Sequence, residues 1–143
     1  MMYHNPVLLN ESISGLNINP SGIYVDVTYG GGGHSKEILK NLNSFGKLIA
    51  FDQDQDAIEN KSNDTRLNLV KSNFKYLNNF LNYFKIKEID GLLADFGISS
   101  HQIDNENRGF STRFNSELDM RMNSTQEIDA KIIVNDYDKD QLE

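Results

Sequence analysis

The sequence contains no cysteine, which excludes disulfides, thiolate metal sites and a cysteine nucleophile. No apolar run approaches the ~20 residues needed to span a bilayer. The first residues, MMYHNPVLLNES, lack the basic stretch, apolar core and small-residue cleavage site of a signal peptide. Together these absences lead us to expect a cytoplasmic protein. Basic charge is scarce too: Lys and Arg number 14 against 21 Asp and Glu, for a formal net charge of −7. Residues 117–143 carry eight acids and three bases, or −5, which leaves −2 for residues 1–116. A surface that grips nucleic acid normally shows a basic patch. None of any size is present, which weighs against a polynucleotide substrate.

The chain has 143 residues, 38% of them hydrophobic and 24% charged. That is enough for one domain with a real core, and too rich in Ile, Leu and Phe for disorder. IYVDV (23–27) is β-branched and aromatic and predicts a strand. Ile38, Leu39 and Leu42 fall at helical spacing after His34, with Ser35 as a cap. KLIAFD (47–52), RLNLV (66–70) and IDGLLADFG (89–97) read as further strands, the first and last buried on both faces. DQDAIENK (54–61) and the stretch from Tyr76 to Phe84 read as helices. Strand and helix thus alternate four times. The pattern predicts an α/β, Rossmann-like doubly wound parallel sheet that stops before it is complete. Residues 104–125 are polar and nearly aperiodic and read as one long loop. Its cations Arg108, Arg113 and Arg121 read as solvated, and residues 126–143 as weakly helical and acidic.

Four consecutive glycines, Gly30 to Gly33, separate the first strand from the first helix. In an open α/β sheet this turn lies closest to a ligand bound beyond the strand ends. The helix behind it offers unpaired N–H groups to a polar or anionic group. The run is not a phosphate-binding Walker loop, since no lysine follows it, and His34 breaks the dinucleotide fingerprint. Asp52 ends the second strand about 22 residues on, where a carboxylate can accept both hydroxyls of an adenosine ribose. This spacing alone leaves NAD and S-adenosylmethionine open. Asp95 ends the fourth strand on the same sheet edge, followed by Gly97, Ser99, Ser100 and Gln102. Phe74, just past the third strand, either flanks a purine or packs in the core. His34 at the helix start reads as a hydrogen-bonding group. His4, His34 and His101 lack ligand spacing, so no metal site is expected. DMRM (119–122) reads as loop packing.

The blocks HNPVLLNES (4–12), GIYVDVTYGGGGHS (22–35), LIAFDQDQDAI (48–58), IDGLLADFGISSHQIDNENRGFS (89–111) and LDMRM (118–122) occur in this order. In this they resemble the bacterial ribosomal RNA small-subunit methyltransferase H family over nearly the whole chain. The resemblance implies an S-adenosylmethionine-dependent enzyme that methylates the exocyclic N4 of a cytidine in small-subunit ribosomal RNA. It also implies that Gly32, Gly33, His34, Asp52, Phe74, Asp95 and Gln102 hold the cofactor. Asp52 would take the ribose and Phe74 would lie beside the adenine. The cytosine amine would attack the sulfonium methyl, with Asp95 as the candidate for a direct catalytic role and no nucleophilic residue required.

His101 stands where the family commonly has proline. By the same resemblance, residues 1–122 would be the first half of the methyltransferase core and 123–143 the start of an inserted helical domain. The remaining strands and a basic surface for the small ribosomal subunit RNA would lie beyond Glu143, which reconciles the acidic charge with an RNA substrate. Two other readings compete. One is a non-catalytic remnant that still binds cofactor. The other is an NAD-dependent oxidoreductase, which is disfavoured by His34, by Asp26 just ahead of the glycines, and by the lack of a hydride-site base.

Overall fold

The computed structural model describes residues 6–143. The chain divides into two compact units, residues 1–96 and 97–143, each treated on its own below.

The first unit begins with α1 (Leu9–Leu16), followed by β1 (Ile23–Asp26), α2 (Gly33–Asn41), β2 (Lys47–Asp52) and α3 (Gln55–Glu59). It continues with β3 (Leu67–Lys71), a single 3-10 turn at Phe74–Tyr76, α4 (Leu77–Tyr83) and β4 (Gly91–Leu93). All four strands are parallel, in the order β3-β2-β1-β4. Parallel neighbours need long crossovers, and the helices supply them.

The sheet is covered on both faces, as its apolar pattern requires. Tyr24, Leu48 and Ala50 pack with Ile38, Leu39 and Leu42 of the α2 side. The alternate residues Val25, Ile49 and Phe51 pack with Leu77, Phe80 and Leu81 of α4. Period-two alternation along each strand places neighbouring residues in opposite cores. The chain runs outward from β1 to β2 and β3, then returns to β1's other side as β4. The strand order therefore switches direction beside β1. In an open α/β sheet, a ligand crevice opens beyond the strand ends at such a switch point.

Two expectations need correction here, and one helix was missed. The fourth strand is shorter and less buried than its nine-residue pattern suggests. Only Gly91–Leu93 pair with β1, and Leu92 on this sheet edge is 44% exposed. Ser35 does not cap α2. Gly32 holds the cap position, and Ser35 lies buried with its hydroxyl turned to Asp26. Helix α1 escaped the sequence reading, although Leu9, Ile13 and Leu16 carry a helical spacing.

The second unit holds α5 (Ser100–Asp104), a 3-10 turn at Glu106–Arg108, α6 (Ala130–Asp136) and α7 (Lys139–Leu142). Its polar stretch is organised around Arg108, which is buried where solvation was expected. Arg108 Nη2 donates to the carbonyls of Arg121 at 3.0 Å and Met122 at 3.3 Å. Arg121 and Arg113 form ion pairs at 2.6 Å with Asp119 and Asp104. Arginine side chains thus tie parts of this polar stretch together where no regular ladder runs.

Candidate functional site

The glycine loop leaves β1 at Asp26, whose side chain is fully buried. Its carboxylate accepts from Ser35 Oγ at 2.7 Å and from the Thr28 N–H at 3.0 Å. Burial pushes this carboxyl above its ordinary value of 3.8, and the bonds from Ser35 and Thr28 oppose the shift. Gly30 N–H donates to Asp52 Oδ2 at 2.8 Å, tying the loop to the end of β2.

Two of the four glycines are required by the protein's own packing. Gly32 adopts φ +75, and a β-carbon there would stand 2.8 Å from the Tyr29 ring. At Gly33 a β-carbon would collide with the ring of Pro6. The atoms crowding these two backbones are the protein's own. Pro6 and Val7 form a strap across the start of α2, fixed at its second point by His34. The Val7 carbonyl accepts from His34 Nε2 at 3.1 Å, so Nε2 carries the ring proton and Nδ1 faces the other way. Nδ1 stands 3.9 Å from Asp95 Oδ2. The imidazole edge and the Asp95 carboxylate therefore face each other across a narrow gap at the sheet edge.

Asp95 lies two residues past the end of β4, and its side chain is 44% exposed. Asp52 closes β2 and accepts the Asp54 N–H at 2.9 Å in addition to that of Gly30. The Gln53 N–H adds a third backbone donor to this carboxylate. Burial pushes Asp52 above 3.8, with the Asp54 and Gly30 N–H groups opposing it. Asp54 caps α3 by accepting from the Asp56 N–H, which leaves Asp52 outside that role. Phe74 opens the 3-10 turn after β3. It is 42% exposed and meets the Phe96 ring at 5.5 Å between centroids.

The first unit thus gathers Gly30 to Gly33, His34, Asp52, Phe74 and Asp95 beyond the carboxyl ends of its strands. Gln102 belongs to the second unit. It closes a capping box with Ser99 and donates from Nε2 to Met122 Sδ at 3.3 Å. His4 lies outside the described residues. Among the described residues, no group of three or more His, Asp or Glu is set to hold a metal ion. No helix among them is long and apolar enough to cross a membrane. Sequence reasoning missed Thr28 and the Pro6–Val7 strap. For Thr28, a hydroxyl two residues past a buried strand aspartate was the available signal.

The chain is matched over residues 1–143 by the family model of the MraW methylase family. The chain belongs to the MraW methylase family. Curated relatives carry the name ribosomal RNA small subunit methyltransferase H. The one from Christiangramia forsetii is 59% identical over 142 residues, covering 99% of this chain and 47% of the relative. That from Flavobacterium johnsoniae is 56% identical over 142 residues, with the same coverage of both. That from Phocaeicola vulgatus is 55% identical over 141 residues, covering 99% of this chain and 46% of the relative. The chain therefore spans about half the length of these relatives. Membership also makes the sheet the Rossmann-like fold of a methyltransferase family.

Proposed function

We propose that this chain carries the S-adenosylmethionine site of an enzyme that methylates the exocyclic N4 of a cytidine in small-subunit ribosomal RNA. The observation that carries the reading is the convergence of Asp52, His34 and Asp95 on the switch point of a family-matched sheet. The residues fit the cofactor. Asp52 offers a strand-end carboxylate to the ribose hydroxyls, and Phe74 offers a half-exposed ring to the adenine. The half-exposed Asp95 carboxylate beside His34 suits an ammonium group. Gly32 and Gly33 hold the backbone of this wall. Gln102 enters on the resemblance alone, as does the division into a methyltransferase core (1–122) and the start of an inserted domain (123–143).

When bound, S-adenosylmethionine supplies an electrophilic methyl group. The protein's part is positioning and charge. A cytosine amine is a poor nucleophile because its lone pair is delocalised into the ring, so alignment and an acceptor for its N–H contribute most. Asp95 is the proposed catalytic residue, its carboxylate accepting from the amine as the nitrogen turns pyramidal. The small ribosomal subunit RNA is the proposed partner, and the cytoplasm the proposed location.

Calorimetric titration of the chain with S-adenosylmethionine, S-adenosylhomocysteine and NAD tests the reading. Binding of the first two without NAD is expected. Binding of NAD alone would overturn it, and binding of none would remove the cofactor site from this chain.

A further inference from the structure

We infer that Thr28 is a positioning residue for Asp95, aimed by the buried carboxylate of Asp26. The inference rests on the cofactor reading above and adds a residue to it. The sheet holds β4 as far as Leu93, whose carbonyl accepts from the Val27 N–H at 3.0 Å. Two residues later the chain is held by a side chain. The Asp95 N–H donates to Thr28 Oγ1 at 2.8 Å.

A hydroxyl has one hydrogen and two lone pairs. Thr28 Oγ1 faces Asp26 Oδ1 as a long donor contact of 3.4 Å, which leaves its lone pairs to receive the Asp95 N–H. The Thr28 N–H is bound to the same Oδ1 at 3.0 Å, and the β-branched side chain has little freedom about χ1. The other oxygen, Asp26 Oδ2, takes the Ser35 hydroxyl at 2.7 Å. Ser35 is next to His34 in the first turn of α2. One enclosed carboxylate therefore references both sides of the 3.9 Å gap between His34 Nδ1 and Asp95 Oδ2. It reaches the histidine side through Ser35 and the aspartate side through Thr28. Neither Asp26 nor Thr28 needs to touch the ligand to set that gap.

The test uses the intact chain as Thr28→Val, which keeps shape and loses the hydroxyl, and as Thr28→Ser, which keeps the hydroxyl. Binding of S-adenosylhomocysteine is compared with binding of methylthioadenosine, which retains adenine and ribose but lacks the amino-acid end. For Thr28→Val we expect S-adenosylhomocysteine affinity to fall roughly fivefold, the scale of one lost hydrogen bond, with methylthioadenosine changed by less than about twofold. Thr28→Ser should restore the first ligand. A general packing defect would weaken both ligands alike, and that result, or no change in either, overturns the inference. Failure of the wild-type chain to bind S-adenosylhomocysteine would instead overturn the cofactor reading beneath it. If methylthioadenosine binds too weakly to measure, Asp95→Asn with Thr28→Val decides. The double variant should bind S-adenosylhomocysteine no worse than Asp95→Asn alone, whereas summed losses would exclude action through Asp95.

Discussion

The ring of Pro6 occupies the space that a β-carbon on Gly33 would need. The strap and the helix start are therefore fitted to each other. Gly33→Ala should cost about 1–3 kcal/mol, the usual penalty for overpacking, and lower the melting midpoint. Adding Pro6→Ala removes the colliding ring atoms and should recover most of the loss. Strictly additive effects in that double-mutant cycle would show that the contact does not dictate the glycine.

Asp52→Asn should weaken S-adenosylmethionine binding by about 1–3 kcal/mol near neutral pH, the range for a lost charge-assisted bond. Burial raises the Asp52 pKa above 3.8, and the ionised form is the better acceptor. Wild-type affinity should therefore decline on acidification, from a higher pH than an ordinary carboxyl would give. Calorimetry across the acid range checks both points, and an Asn variant with the wild-type profile would remove Asp52 from the site.

Asp26 makes a prediction about stability. Its folded-state pKa lies above 3.8, so the folded chain binds that proton more tightly than the unfolded chain. Its contribution is therefore most favourable at low pH and is lost as pH rises from 3.8 through the folded value. Asp26→Asn cannot titrate, so wild-type stability relative to the variant should fall across that window. Asp64 works in the opposite sense, since Arg66 holds it down at about 2. The variant and wild type must therefore be compared at each pH, by thermal melts. Parallel curves would show that Asp26 does not titrate between the two states.

Arg108 anchors the second unit through the carbonyls of Arg121 and Met122. Lysine keeps the charge but not the fork, so Arg108→Lys should cost about 1–3 kcal/mol. Limited proteolysis should then cut first within residues 104–125. A cleavage rate equal to wild type would make Arg108 dispensable.

The sheet was legible because its strands announce themselves chemically: KLIAFD carries four unbroken apolar residues between its charged ends, and β2 occupies those six residues. The same argument overstated the fourth strand, because IDGLLADFG looks alike whether its outer face is covered or sits at a sheet edge. Asp52 could be placed at its strand end by counting alone, whereas Asp95 lies two residues past the end of β4. Arg108 could not, since its partners are main-chain carbonyls 13 and 14 residues away and carbonyls leave no mark in a sequence. The glycines were half legible. Their need for bare backbone was visible, but Pro6 lies 27 residues upstream of Gly33 and nothing local points to it.

The pairing of β1 with β4 has a consequence for how the site assembles in time. Thr28 and Asp95 are separated by 67 residues along the chain, whereas Ile23 and Lys47, which set β1 against β2, are separated by 24. Closing the longer loop costs about 1 kcal/mol more in chain entropy, and contacts this distant slow a folding reaction. The glycine turn and Asp52 can meet as soon as the first two strands align. The wall that bears Asp95 must wait for the rest of the unit to come round. Nascent chains should therefore acquire the Asp52 side of the crevice first and the Asp95 side last.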